Sequence, residues 1–268
     1  AAISSITSDD LKKTAQTRVD NLLQGMTSGV TVTSTSGAPD AGSQIRVRGI
    51  GTINNSEPLF LVDGMPVGGI DYLNPNDIER IEVLKDAASG AVYGARAANG
   101  VVLVTTKQGK AGKTNVTYDF SYGWQNPWRK PSVLNATEYA IMMNEGYINA
   151  GQAPVYDDPY AFGEGTDWVD LIFNHNAPVM KHDININGGN DKVTYSTSVG
   201  YLSREGTIGG NYGRSNYDRF TVRQTLNSIL FDNTADRSWL NKMTMSSAVS
   251  YARINSTGIN NNSEFGSP

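Results

Sequence analysis

Apolar positions along this chain follow two different periods. In the first third, Leu11, Ala15, Val19, Leu22 and Leu23 recur at helical spacing, which predicts one buried stripe on a helix. Ser8 ahead of Asp9 and Asp10 offers a side-chain cap and acids at the positive helix end, and Gly25 offers a stop. Short apolar runs then predict strands over Val30–Thr33, Gln44–Arg48, Leu59–Val62, Ile78–Lys85 and Val101–Lys107. Between "LFLV" and "MPV", Asp63-Gly64 predicts a tight hairpin turn, because primed turns need positive φ. Asn74-Pro75-Asn76-Asp77 predicts another turn, and Ala87–Tyr93 a short helix ended by Gly94.

From about Thr114 the period becomes two. Val116, Tyr118, Phe120, Tyr122 and Trp124 alternate with Asn115, Thr117, Asp119, Ser121 and Gly123. The same alternation runs through "KHDININ", "KVTYSTSVGY" and "KMTMSSAVSY", and less cleanly through Arg219–Phe231. The strands are long and one face is wholly polar. A transmembrane barrel requires this, with apolar and aromatic side chains toward lipid and small polar ones toward the lumen. A soluble antiparallel sheet with one buried face alternates in the same way. The connections favour the barrel: residues 125–178 and 203–216 are long and rich in Gly, Asn, Pro, Asp and Tyr, whereas Gly188–Asp191 is short. Five strands cannot close a barrel, since the smallest have about eight. The remaining strands are therefore expected from a longer polypeptide.

Composition narrows the function classes. Net charge is −4 with 18% charged residues, and Lys and Arg form only short runs, which speaks against nucleic acid. Cysteine is absent, excluding a thiol nucleophile, a disulfide scaffold and a cysteine zinc site. No apolar run reaches the ~18–20 residues of a membrane-spanning helix, and strands escape that test. The only histidines are His175 and His182, too few for a His-rich metal site. "RGIG" and "YGARAANG" match neither a phosphate loop nor a dinucleotide fingerprint. "NGGND" and "YDDP" offer oxygen ligands without calcium-loop spacing and read as turns. No nucleophile, base and acid set is legible, so no enzymatic activity, cofactor or metal is expected.

Three blocks then carry a resemblance: "SGAPDAGSQIRVRGIGTI" (Ser36–Ile53), "PLFLVDGMPV" (Pro58–Val67) and "LNPNDIERIEVLKDAASGAVYGARAANGVVLVTTKQGK" (Leu73–Lys110). In order and spacing they resemble the plug domain of SusC/RagA-type TonB-dependent outer-membrane transporters. "LQGMTSGVTVTSTSG" (Leu23–Gly37) fits the start of that plug, and "TDWVDLIF" (Thr166–Phe173) looks like the stretch before the family's second barrel strand. The resemblance covers residues 1 to about 125 closely. It implies an α+β plug domain over 1–110, followed over 111–268 by the first antiparallel strands of a transmembrane β-barrel of about 22 strands. It further implies TonB-driven import of oligosaccharides or peptides across the outer membrane, under a SusD-like surface lipoprotein. TonB would act through a segment upstream of this chain, and the remaining barrel strands would come from the same protein.

By the same resemblance, Arg46, Arg48, Glu79 and Glu82 match charged plug positions and are candidate contacts to the barrel wall. The loops Ser36–Ser43 and Thr52–Glu57 are candidate substrate-side loops, with Asp40, Asn54 and Asn55. Among the loop aromatics, Trp128, Tyr156 and Tyr160 offer ring faces and polar tips that suit sugars; a membrane-interface girdle is the alternative, favoured for Trp124 and equally open to the loop tyrosines. The reading from a different class is a soluble or surface-bound β-rich glycan-binding module without transport.

Overall fold

The computed structural model describes residues 3–12, 17–34, 36–49, 56–86, 91–232 and 241–259. Strand β1 (Ile3–Thr7) runs into helix α1 (Ser8–Lys12). The Asp10 carboxylate accepts both the N–H and the hydroxyl of Thr7, at 3.3 and 2.8 Å, so Thr7 rather than Ser8 is tied to the first turn. One helix through Leu23 was expected, but Arg18 is extended and α2 (Val19–Leu22) begins after it. Arg18 leaves helical geometry to grip Asp20 through Nε and Nη2, at 3.1 and 2.7 Å, and the pair is buried. The apolar stripe still marks the core, since Leu11, Val19, Leu22 and Leu23 are all buried.

A hairpin of β2 (Val30–Ser34) and β3 (Ser43–Val47) follows. Arg48, expected inside that strand, instead has φ of 58°, and its N–H bonds Gly29 O at 2.8 Å. Strands β4 (Leu59–Val62), β5 (Met65–Val67), β6 (Ile78–Leu84) and β7 (Val101–Thr106) join β1 in one sheet of order β1-β6-β7-β4-β5, with β4 and β7 parallel. Ile81, Val83, Val102 and Val104 pack with Leu22, Leu23, Val32 and Ile45 in the main core, while Leu59, Leu61, Leu84, Ala97 and Val101 form a smaller cluster. Asp63 and Gly64 both have positive φ, 48° and 84°, as the primed hairpin turn requires. Of the expected helix Ala87–Tyr93, residues 87–90 lie outside the described residues. The described part is a pair of 3-10 turns over Ala91–Ala97 that Gly94 kinks rather than ends. Gly100 is required twice over: φ is 93°, and a Cβ there would sit 2.9 Å from Val47 Cβ.

The chain crosses from Thr106 to the wall, where β8 (Gly112–Gln125), β9 (Ala177–Gly189), β10 (Val193–Glu205), β11 (Asn216–Asp232) and β12 (Lys242–Thr257) form an antiparallel sheet in sequential order. All five expected long strands are present. Val116, Tyr118, Phe120, Tyr122 and Trp124 stand exposed on the outer face, whereas Asp183, Ser196, Ser198, Arg219, Thr221, Arg223 and Thr225 are buried against the plug. The long connections, 126–176 and 206–215, lie at one end of the sheet, and the tight turn 190–192 at the other. In that turn Asn190 Oδ1 accepts the N–H groups of Lys192 and Val193, both at 2.9 Å. No described helix is long and apolar enough to cross a membrane, which says nothing about strands.

The longest connection carries α3 (Ala136–Asn149) and α4 (Trp168–Ile172). Asn135 and Glu138 form a reciprocal capping box at the start of α3. Tyr139, Met142, Met143 and Tyr147 suggest a packing face in the sequence, but Tyr139, Met142 and Tyr147 are exposed. The helix packs through buried Ala140 and through Asn144, whose side chain bonds Val155 N, Tyr156 N and Tyr156 O. Small and polar side chains win that face because the returning loop passes close to it.

Candidate functional site at the plug and wall seam

The wall presents a polar face to the plug, so the seam is closed by hydrogen bonds and ion pairs. Residues of β11 with one parity point inward, and two of them are arginines four residues apart. Arg223 Nη2 pairs with the Asp63 carboxylate and donates to Thr106 Oγ1 at 2.8 Å. Asp63 also accepts the Thr106 N–H at 2.9 Å and its hydroxyl at 2.7 Å. A turn residue, a strand end and a wall cation thus share one charge-assisted cluster. Arg219, only 2% exposed, donates from Nη1 to Asp71 O at 3.0 Å and from Nη2 to Thr17 O at 3.1 Å.

A second cluster has the opposite sense. Asp183 on β9 is buried and accepts from the side-chain amides of Asn74 and Asn76, the latter at 2.8 Å, with Lys181 Nζ 3.0 Å away. Asn74 is held for this contact by its own turn, where its Oδ1 accepts the Asn76 N–H at 3.0 Å. Gly200 makes the approach possible: a Cβ there would lie 2.8 Å from Asp183 Oδ1 and Thr221 Oγ1, and closer still to Asn74 Nδ2. Nearby, burial pushes the Asp77 carboxyl up, against a hydrogen bond from Ser198 and the field of Arg223 that pull it down. Toward the short-turn end, Asn227 Nδ2 donates to Gln108 Oε1 at 3.2 Å.

The charged plug residues singled out in the sequence sit elsewhere. Arg46 donates to Gln44 on its own strand at 2.9 Å, and Glu82 lies 3.7 Å from Arg80, also its own strand. Arg48 is exposed at the end of the hairpin, and Glu79 is half-buried on β6. The seam against these five strands runs instead through Asp63, Asn74, Asn76 and the Thr17 and Asp71 carbonyls. In the sequence Asp63 and Asn74 carry turn chemistry, and Arg219 and Arg223 carry no local mark of docking. The available signal was an Arg pair at inward parity on a strand whose other parity carries Phe220, Val222 and Leu226.

Of the candidate substrate-side residues, Asp40 lines a cavity of about 230 Å³ on the plug with Arg18, Asp20, Glu57 and Asp71. Its carboxylate also faces Gly258, just beyond β12 at the long-loop end. Asn54 and Asn55 lie outside the described residues. Trp128 and Tyr160 are exposed, 95% and 75%. Tyr156 meets Phe162 edge-on with ring centroids 5.3 Å apart, and both line a cavity of about 380 Å³ with Tyr139 and Trp168. This loop is closed at its root by Asn126 and Asn176, which bond at 2.9 and 2.7 Å, and by Lys130, Asp170 and His175. Hydrogen bonds from Lys130 and His175 hold Asp170 below the usual carboxylate range. Asp158 of "YDDP" accepts the Tyr160 N–H at 3.1 Å and so starts a 3-10 turn.

Residues 1–101 match the family model of the TonB-dependent Receptor Plug Domain. The chain is 39% identical over 239 residues to TonB-dependent receptor P26 of Formosa agariphila, covering 86% of this chain and 24% of that protein. It is 34% identical over 242 residues to TonB-dependent receptor SusC of Bacteroides thetaiotaomicron, covering 86% and 23%. Among solved structures it is similar to the RagAB peptide transporter, with a TM-score of 0.76, 28% identity, and coverage of 96% of this chain and 31% of that one. The chain thus spans about a quarter of the length of the curated relatives it matches.

Proposed function

Because this chain is the plug domain and first barrel strands of a SusC/RagA-type TonB-dependent receptor, we propose that it gates the import of oligomeric nutrients across the outer membrane. Residues 1–110 act as the stopper and 111–268 as the first part of the wall. The observation that carries the reading is the polar seam: a plug with its own apolar core, seated on a wall strand sheet through ion pairs and hydrogen bonds. Such a joint can open without unfolding either partner. The activity is transport, with no covalent step.

Cargo binds at the long-loop end, beside Asp40 and the loop aromatics Trp128, Tyr156 and Tyr160. Their rings and polar tips suit oligosaccharides. Likeness to RagAB, described as a peptide transporter, favours peptides as the second cargo class. A SusD-like lipoprotein covers that end, and TonB pulls on a segment upstream of the plug. Arg46, Arg48, Glu79 and Glu82 contact wall strands that follow the five described here.

The test is uptake of labelled oligosaccharide and peptide mixtures by cells with and without the complete protein, each with and without TonB. Loss of one cargo class in both deletions supports the reading. Uptake that persists unchanged without the protein removes it.

A further inference from the structure

Among the described residues of the seam, two neighbouring polar atoms on β11 have no hydrogen-bond partner. Thr225 on β11 is 2% exposed and its hydroxyl has no hydrogen-bond partner. Arg223, 7% exposed, commits Nη2 to Asp63 and Thr106, yet its Nε–H has none. Both face the same polar gap, between Asp77 and Lys107 on the plug and Asn185, Ser196 and Ser198 on the wall. That gap is too narrow to admit a water molecule. Elsewhere on β11, Arg219 is held by the Asp71 and Thr17 carbonyls, while Asn216 Oδ1 at the start of the strand is also without a partner.

A buried donor or acceptor left without a partner carries its full desolvation cost, larger than the net gain from an average hydrogen bond. This cost exists only while the plug is seated. Once the plug withdraws, the inner face of β11 is wetted and both atoms regain water. We propose that Thr225 Oγ1 and Arg223 Nε form a built-in bias toward release, which partly offsets the Asp63–Arg223–Thr106 cluster beside them. The seam is therefore held by strong contacts yet set below the tightness its geometry allows. Isosteric replacement of Thr225 by an apolar side chain gives a stopper that seats more firmly than the natural one.

The inference uses the importer reading only for the purpose of release, because docking can be read where no cargo moves. The complete protein is placed in a planar lipid bilayer and its channel openings are counted as urea is raised. Thr225→Val should open about five- to tenfold less often than the parent at the same urea concentration, the effect of removing one unpaired buried hydroxyl. Thr225→Ser, which keeps the hydroxyl, should open like the parent. If Thr225→Val opens as often as the parent or more often, or if Thr225→Ser follows it, the bias does not exist. An ordered water bonded to Thr225 Oγ1 in a crystal structure of the seated plug would overturn it as well.

Discussion

The two five-stranded sheets of this chain solve opposite problems with the same backbone. In the plug sheet, β6 and β7 bury Ile81, Val83, Val102 and Val104 against a hairpin and short helices. In the wall sheet most apolar side chains face outward, and Ser196, Ser198, Thr221 and Thr225 face in, with Leu202 and Tyr217 buried among them. Apolar burial stabilises the plug as a unit and contributes less to its attachment, because the surface it meets is mostly polar. Attachment therefore rests on a few directional contacts. Cohesion and docking are governed by different residues and can be altered one at a time.

The largest effect should fall on cohesion. Ile81→Ala, at a position with no exposure, should destabilise the plug by about 2–5 kcal/mol. Calorimetry of the complete protein should show the plug transition shifted and the barrel transition unmoved. Next comes docking. Arg223→Ala leaves Asp63 partly buried without its cation and should weaken seating by about 3 kcal/mol. Asp63→Ala in the same background should add little, because the pair acts as a unit. Full additivity in urea-driven channel opening would show that the two residues are not coupled.

Smaller again is Gly200→Ala, whose new methyl group meets Asn74 and Asp183 and should cost about 1–3 kcal/mol of seating. Shortening the partner by Asn74→Ser should restore part of it; no rescue would mean the clash is relieved elsewhere. The smallest effect is that of pH. Burial raises the Asp77 carboxyl, so the seated plug binds more protons than the released one between the ordinary carboxylate value and the raised one. Through that window seating by this group strengthens as pH falls and weakens as pH rises. Asp77→Asn should remove its share, seen as a flatter pH profile of channel opening than the parent's.

Much of the fold was legible because each half obeys a simple period. Leu59–Val62 and the five long strands follow directly from apolar runs and alternation, and the Asp63-Gly64 turn from its need for positive φ. The helical stripe found the core but not the break at Arg18, because a buried ion pair two residues apart outweighed local helical order. The seam was less legible. Asp63 and Asn74 have turn chemistry of their own, which hides a second use of the same oxygen or amide. Arg219 and Arg223 sit on the polar parity of β11, where any lumen-facing polar residue is expected, and their partners lie 148 and 160 residues away in sequence. Only the folded chain brings those positions together.

The crossing between the last plug strand at Thr106 and the first wall strand at Gly112 has a consequence of its own. It makes the plug and wall one covalent object, joined at the short-turn end by a handful of residues. A stopper on so short a leash, once displaced, searches for its seat at an effective concentration on the order of millimolar. If the plug is released as proposed, reseating is then independent of how much protein the membrane holds.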